Sequence, residues 1–171
     1  MRRFRGARTV SGRREREAEA AMQHWQALGY TQPDEMFEIA RVAEEVGFEG
    51  LMLSDHVFVP QDRKSKYPYS ESGDPDFDGQ APFPDCFVTA SALAQCTNRL
   101  RFATNVYILP LRHPVEVARF TSSAAVFTRD RFVLGIGAGW MKDEFEVLGR
   151  RYEKRGALMD EQIEIVRKLT S

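Results

Sequence analysis

The sequence contains no run of about 18 consecutive apolar residues, so no segment reads as a membrane-spanning helix. No apolar signal-peptide core follows its first residues either, and the expectation is a cytoplasmic protein with no membrane partner. Cysteine is scarce: Cys86 and Cys96 lie ten residues apart, with neither a Cys-x-x-Cys pair nor a histidine at zinc-finger spacing. A redox couple and a structural zinc site are therefore not indicated, no metal is expected, and two buried thiols in a reducing compartment are the simpler reading. An excess of one charge is also absent. With 24 Lys and Arg against 25 Asp and Glu, the formal net charge is −1, which does not advertise nucleic acid as a partner.

The chain does have the ingredients of an ordinary core, since 43% of its 171 residues are hydrophobic and one compact domain is the default for that length. Residues 1–20 are the exception. They carry Arg2, Arg3, Arg5, Arg8, Arg13, Arg14 and Arg16 among few apolar side chains, and so read as a flexible extension preceding a domain at 21–171. A solvated segment or an upstream start is preferred there over a targeting or nucleic-acid-binding arm.

Residues 22–30 read as a first strand. Thr31-Gln-Pro-Asp34 then supplies a capping hydroxyl and an early proline for a helix with Met36, Ile39, Ala40, Ala43 and Val46 on its apolar face and Gly47 as terminator. Leu51-Met-Leu53 is a buried strand ending in Ser54-Asp55-His56. Residues 57–84 form a long Pro-, Gly- and Asp-rich connection. Its aromatics Tyr67, Tyr69, Phe77 and Phe83 point to a partly packed lid over a site. A second helix opens at Pro84-Asp85 with Val88, Ala92 and Leu93 inward, followed by a strand from Leu100 to Leu109. A third helix starts at His113-Pro114 with Val117, Phe120, Thr121 and Ala124 inward. A fourth strand, Phe132 to Ile136, and a helix from Leu158 to Leu169 follow. Four βα units of this kind build a parallel sheet with helices outside it, and ligands bind where such strands end. The unusual residues all fall there: Asp55-His56, Asn105-Val106 and Gly137 to Trp140.

The glycines of Gly135-Ile-Gly-Ala-Gly-Trp140 fit neither common phosphate motif. A dinucleotide fingerprint fails because no glycine stands three residues beyond the second of the pair, and a P-loop fails because no Gly-Lys-Ser or Gly-Lys-Thr follows. Two readings remain, a strand end on whose bare backbone something flat can lie, or close packing of strand against helix.

Several segments in order resemble the luciferase-like flavin and deazaflavin oxidoreductases, particularly the branch that uses coenzyme F420. They are Thr31-Gln-Pro-Asp34, Leu53-Ser-Asp-His56, Ser65-Lys-Tyr-Pro-Tyr69, Thr104 through Pro114, and Gly135 to Trp140 with Glu144-Phe145 and Leu148-Gly149. The resemblance implies a TIM-type (β/α)8 barrel with the cofactor ring over the carboxyl ends of its strands, where the cofactor supplies the redox chemistry and the protein orients it. It also implies His56 as the catalytic residue and Asp55, Asn105, Val106, Ala138, Gly139 and Trp140 as cofactor-binding residues, with a cis peptide between Asn105 and Val106. Some relatives that oxidise a sugar phosphate carry an acid where Trp140 stands, which puts that substrate class in doubt.

Four βα units are half of such a barrel, which takes about 250 residues when complete. The expectation is accordingly a truncated half barrel, lacking the usual phosphate cradle and pairing as a homodimer or with a complementing half. Three functions are carried forward: F420-dependent hydride transfer with a small organic substrate, an FMN-dependent monooxygenase, and a catalytically silent association module.

Overall fold

The computed structural model describes residues 22–75 and 81–171, so the extension expected at 1–20 and Phe77 of the long connection lie outside the described residues. β1 (Trp25–Leu28) leads through α1 (Pro33–Glu45) to β2 (Gly50–Leu53). The long connection then reaches α2 (Cys86–Leu93), continued by a 3₁₀ turn at Ala94–Cys96. β3 (Arg101–Thr104) and β4 (Tyr107–Ile108) precede α3 (Pro114–Thr128). β5 (Phe132–Val133) and β6 (Ile136–Gly137) precede α4 (Lys142–Val147) and α5 (Arg155–Thr170).

β1, β2, β3 and β5 form one parallel sheet in that order, while β4 and β6 form a separate parallel pair. The fold is thus the parallel α/β arrangement that the alternating pattern implies. Two of the expected strands are each broken in two. The Leu100–Leu109 strand breaks at Asn105–Val106, whose peptide bond is cis. The neighbouring strand breaks at Leu134–Gly135, and the two breaks meet: the Thr104 hydroxyl and the Tyr107 N–H both donate to the Gly135 carbonyl, at 2.6 and 2.8 Å. A Cβ on Gly135 would collide with the Thr104 carbonyl, and one on Gly137 with the Val106 side chain. These two glycines therefore serve strand-to-strand approach, a third use beside the two read from the sequence.

The core lies between sheet and helices, with Leu51, Leu53 and Phe102 of the strands against Ala40, Ala90, Leu93, Val117 and Ala124 of the helices. Burying such side chains contributes about 1.5–3 kcal/mol each for the larger ones. Three sequence expectations fail here. Thr31 does not cap α1; its hydroxyl donates to the Gly29 carbonyl, and Gln32 occupies the cap position without a side-chain bond. Val46 is exposed because it is already the residue that ends the helix. Val88 is 67% exposed because the very apolar α2 turns Cys86, Phe87, Ala90 and Leu93 inward, and Phe120 is 46% exposed because α3 buries Val117, Ala118 and Ala124 instead. Val88, Phe120 and Phe127 instead line an outward apolar groove between α2 and α3 of about 610 Å³. Asp85, as expected, starts α2, its Oδ1 accepting from the N–H groups of Phe87 and Val88 at 2.9 and 3.0 Å. Cys86 is buried and Cys96 partly so, both as free thiols.

Candidate active site

The carboxyl ends of β2, β4 and β6 open into a cleft of about 700 Å³, and all seven residues singled out from the sequence border it. The long connection closes one side with Tyr67, Pro68 and Tyr69. Of the four aromatics expected in such a lid, Tyr67 and Tyr69 line the cleft and Phe83 does not, while Phe77 lies outside the described residues.

His56 follows β2, and its Nδ1 lies 2.9 Å from Oε2 of Glu144 in the first turn of α4. Glu144 is completely buried, and its Oε1 accepts the Val57 N–H at 2.8 Å. A carboxylate can only accept hydrogen bonds, so the pairing puts the imidazole proton on Nδ1 and makes Nε2 the basic ring nitrogen. The arrangement orients a histidine with a buried acid, as in many proton-transfer sites.

Asp55 borders the cleft but directs its oxygens into the protein. Oδ1 accepts from the Arg112 guanidinium at 2.6 Å and Oδ2 from the Ile108 N–H at 2.9 Å. Burial pushes its carboxyl above the ordinary value even though the Arg112 charge and these hydrogen bonds pull it down. Its visible work is to hold β4 just beyond the Asn105–Val106 bond. The same burial pushes the Cys86 thiol and the Tyr107 phenol upward, so neither ionises near neutrality.

Gly137, Ala138 and Gly139 present a strip of nearly bare backbone, with Asn105 and Val106 alongside. Gly139 has φ +83°, and a Cβ there would stand 2.6 Å from Ile108 Cγ2, so only glycine fits the turn. Trp140 stands at the end of the strip between His56, edge-on at 5.9 Å, and Tyr67 at 5.1 Å, with the Arg63 guanidinium 5.6 Å from its ring centre. It is a wall of the cleft.

The sequence alone singles out neither Glu144 nor Arg155 as a site residue, nor Asp143 as the anchor of the long connection beside the site. Asp143 and Glu144 sit in a charged helical run that looks like a solvated face, and only tertiary contact buries Glu144. Arg155 is one of several arginines between 150 and 155, yet it is the one Lys or Arg among the described residues lining the cleft. Its Nε donates to the Gly139 carbonyl and its Nη1 to the Tyr152 carbonyl, both at 3.1 Å, and it lies 3.9 Å from the Tyr152 ring centre. Those bonds leave Nη2 as a donor for an anionic group. Among the described residues no group of three or more His, Cys, Asp or Glu could hold a metal, and no helix is long and apolar enough to cross a membrane.

The sequence profile of the luciferase-like monooxygenases matches residues 18–171. The chain belongs to that family. An uncharacterised protein of Mycobacterium tuberculosis is 38% identical over 133 residues, which cover 78% of this chain and 46% of the relative. The F420-dependent glucose-6-phosphate dehydrogenase of Amycolatopsis mediterranei is 28% identical over 141 residues, 80% of this chain and 38% of that one. Among solved structures, the oxygenating constituent of the 3,6-diketocamphane monooxygenase of Pseudomonas putida, a type II Baeyer-Villiger monooxygenase in complex with FMN, superposes with a TM-score of 0.68. That match is 22% identical and covers 87% of this chain and 39% of the other, so it speaks to the fold. This chain spans about half the length of the curated relatives it matches, and is thus a partial luciferase-like barrel.

Proposed function

We propose that this chain forms the ring-facing part of an F420-dependent oxidoreductase that moves a hydride between the deazaflavin and a small organic substrate. The observation that carries this reading is the His56–Glu144 pair beside the bare strip Gly137 to Gly139 in one cleft. A flat ring could lie against that strip, with Asn105, Val106 and Trp140 around it. Arg155 could meet an anionic part of the cofactor, so the cleft's own chemistry fits such a group. The bound deazaflavin would supply the hydride acceptor or donor. The chain's own task is the accompanying proton: when substrate oxidation releases one, Nε2 of His56 takes it, and in reduction returns it, while Glu144 steadies the ring charge.

FMN with a monooxygenase reaction is the second reading, favoured by the aromatic, acid-free wall that Trp140 makes and by the FMN-bound relative of the same fold. Equilibrium titration with F420 and with FMN, followed by fluorescence, and oxygen uptake with reduced flavin separate the two. Micromolar binding of F420 without oxygen uptake supports the first. Absence of binding by either cofactor, in a chain shown to be folded, favours the silent association module. As part of the same reading, the edges β1 and β5 and the apolar groove between α2 and α3 are the surfaces that a second copy or a complementing half would cover.

A further inference from the structure

Asp143 touches neither His56 nor the cleft, yet it accepts two successive backbone N–H groups of the long connection. Its Oδ1 accepts the Lys64 N–H at 3.0 Å and its Oδ2 the Ser65 N–H at 2.9 Å, while its own N–H points to the Ser65 hydroxyl at 3.4 Å. Desolvation raises its carboxyl, but the hydrogen bonds from Ser65 and Lys64 together outweigh that and hold it down at about 2, so the contact is fully charged at neutral pH. The neighbouring Glu144 grips the same connection at the Val57 N–H.

What Asp143 holds is a small self-closed unit. The Tyr67 N–H donates to the Gly73 carbonyl at 2.6 Å, Arg63 pairs with Asp74 at 2.8 Å, and the Ser70 hydroxyl donates to the Asp74 carbonyl at 2.6 Å. Gly73 sits at φ +80°, letting the turn fold onto the Lys66 side chain. A loop closed on itself in this way moves as a body when its attachment is cut. Its rings are the aromatic wall: Tyr67 packs 5.1 Å from Trp140 and 5.4 Å from Tyr69.

We propose that Asp143 is a latch that fastens residues 63–74 to α4 and thereby closes the Tyr67–Tyr69 wall over a ligand in the cleft. It is a positioning residue, acting through the loop. Its effect on ligand retention rests on the cofactor reading above; its effect on the loop does not.

The test uses the whole 171-residue chain with Asp143→Ala and Asp143→Asn. Amide exchange of Lys64 and Ser65 should speed up by about tenfold or more in Asp143→Ala, with Asp143→Asn in between because its amide oxygen still accepts one N–H, and Val57 should change little. With 5-fluorotryptophan in place of Trp25 and Trp140, the Trp140 fluorine resonance should shift or broaden and that of Trp25 should not. Where wild type binds F420 or FMN, release should quicken about tenfold in Asp143→Ala and by less in Asp143→Asn. Unchanged exchange and an unchanged Trp140 signal would overturn the latch. A loosened loop with an unchanged release rate would overturn its role in retention. If neither cofactor binds wild type, the functional reading falls, and exchange and fluorine signals still decide the latch.

Discussion

Both ends of the sheet bury charge, and they use it differently. At the amino ends of the strands, Arg131 donates five hydrogen bonds, to the carbonyls of Ala94, Thr97, Leu100 and Thr128 and to the Thr97 hydroxyl. Nearby, the Glu44 carboxylate accepts the N–H groups of Asn98, Arg99 and Leu100. Every partner is backbone or a single hydroxyl, so these charges tie off loops and face no ligand. At the carboxyl ends, the buried Glu144 and Asp55 and the half-buried Asp143 hold a histidine, a cleft-bordering strand and a lid: Glu144 on His56, Asp55 on Ile108, Asp143 on Ser65. Burial of charge by itself therefore does not mark a site. What marks it is that the partner of the charge borders an open cleft, as His56 and Ile108 do, or belongs to the loop that walls it, as Ser65 does.

The sharpest way to break this contrast is at Arg131. Arg131→Ala leaves several buried carbonyls without donors, and should lower stability by about 3–5 kcal/mol while leaving cofactor affinity per folded molecule unchanged. Urea denaturation with parallel cofactor titration measures both. A large loss of affinity in the remaining folded protein would mean that the amino-terminal end is not merely structural. The converse is His56→Ala, expected to slow turnover by about a hundredfold or more with a small change in midpoint. Steady-state rates on F420 or FMN beside the same denaturation series test it, and turnover near the wild-type value would remove His56 from the chemistry.

Much of this contrast is legible in the sequence at the level of elements, because strand ends carry Asp55-His56, Asn105-Val106 and Gly137 to Trp140 and the alternation of periods places them on one edge. The family resemblance supplied the cis bond at Asn105–Val106, which no local pattern encodes. What stayed illegible was partner choice across long separations. Glu144 lies 88 residues from His56, and Asp143 lies 78 from Ser65, so nothing local distinguishes them from the exposed Glu146 of the same helix. Val88 shows the opposite failure: in a helix apolar on nearly every side, periodicity cannot say which face turns inward.

Glu144→Gln probes the carboxyl-terminal side more finely. The amide oxygen can still accept the Val57 N–H, but the remaining NH₂ faces Nδ1 of His56 as a donor and no longer fixes the proton there. Turnover should fall by about tenfold, less than for loss of His56 itself, and the His56 ring should change tautomer, visible in its nitrogen chemical shifts. A wild-type tautomer together with wild-type turnover would mean that the buried acid supports the loop at Val57 alone.

The smallest effect expected is acid opening of the lid. Asp143 has a folded-state value of about 2 against 3.8 for an ordinary aspartate. An acid depressed in this way stabilises the folded arrangement above its unfolded value, and that contribution fades as pH falls from about 4 through about 2. Glu44, also depressed, weakens the opposite end in acid, though hydrogen bonds to three successive amides hold it to a tight turn with no cleft beside it. The two ends are separable by where the change is seen. In wild type the Trp140 fluorine signal should move between pH 4 and 2, and in Asp143→Asn it should already be displaced at neutral pH and stay flat across that window. Glu44→Gln should leave the Trp140 titration intact. If instead Glu44→Gln abolishes it, the amino-terminal turn and the lid open as one unit, and the division between a structural end and a working end does not extend to acid.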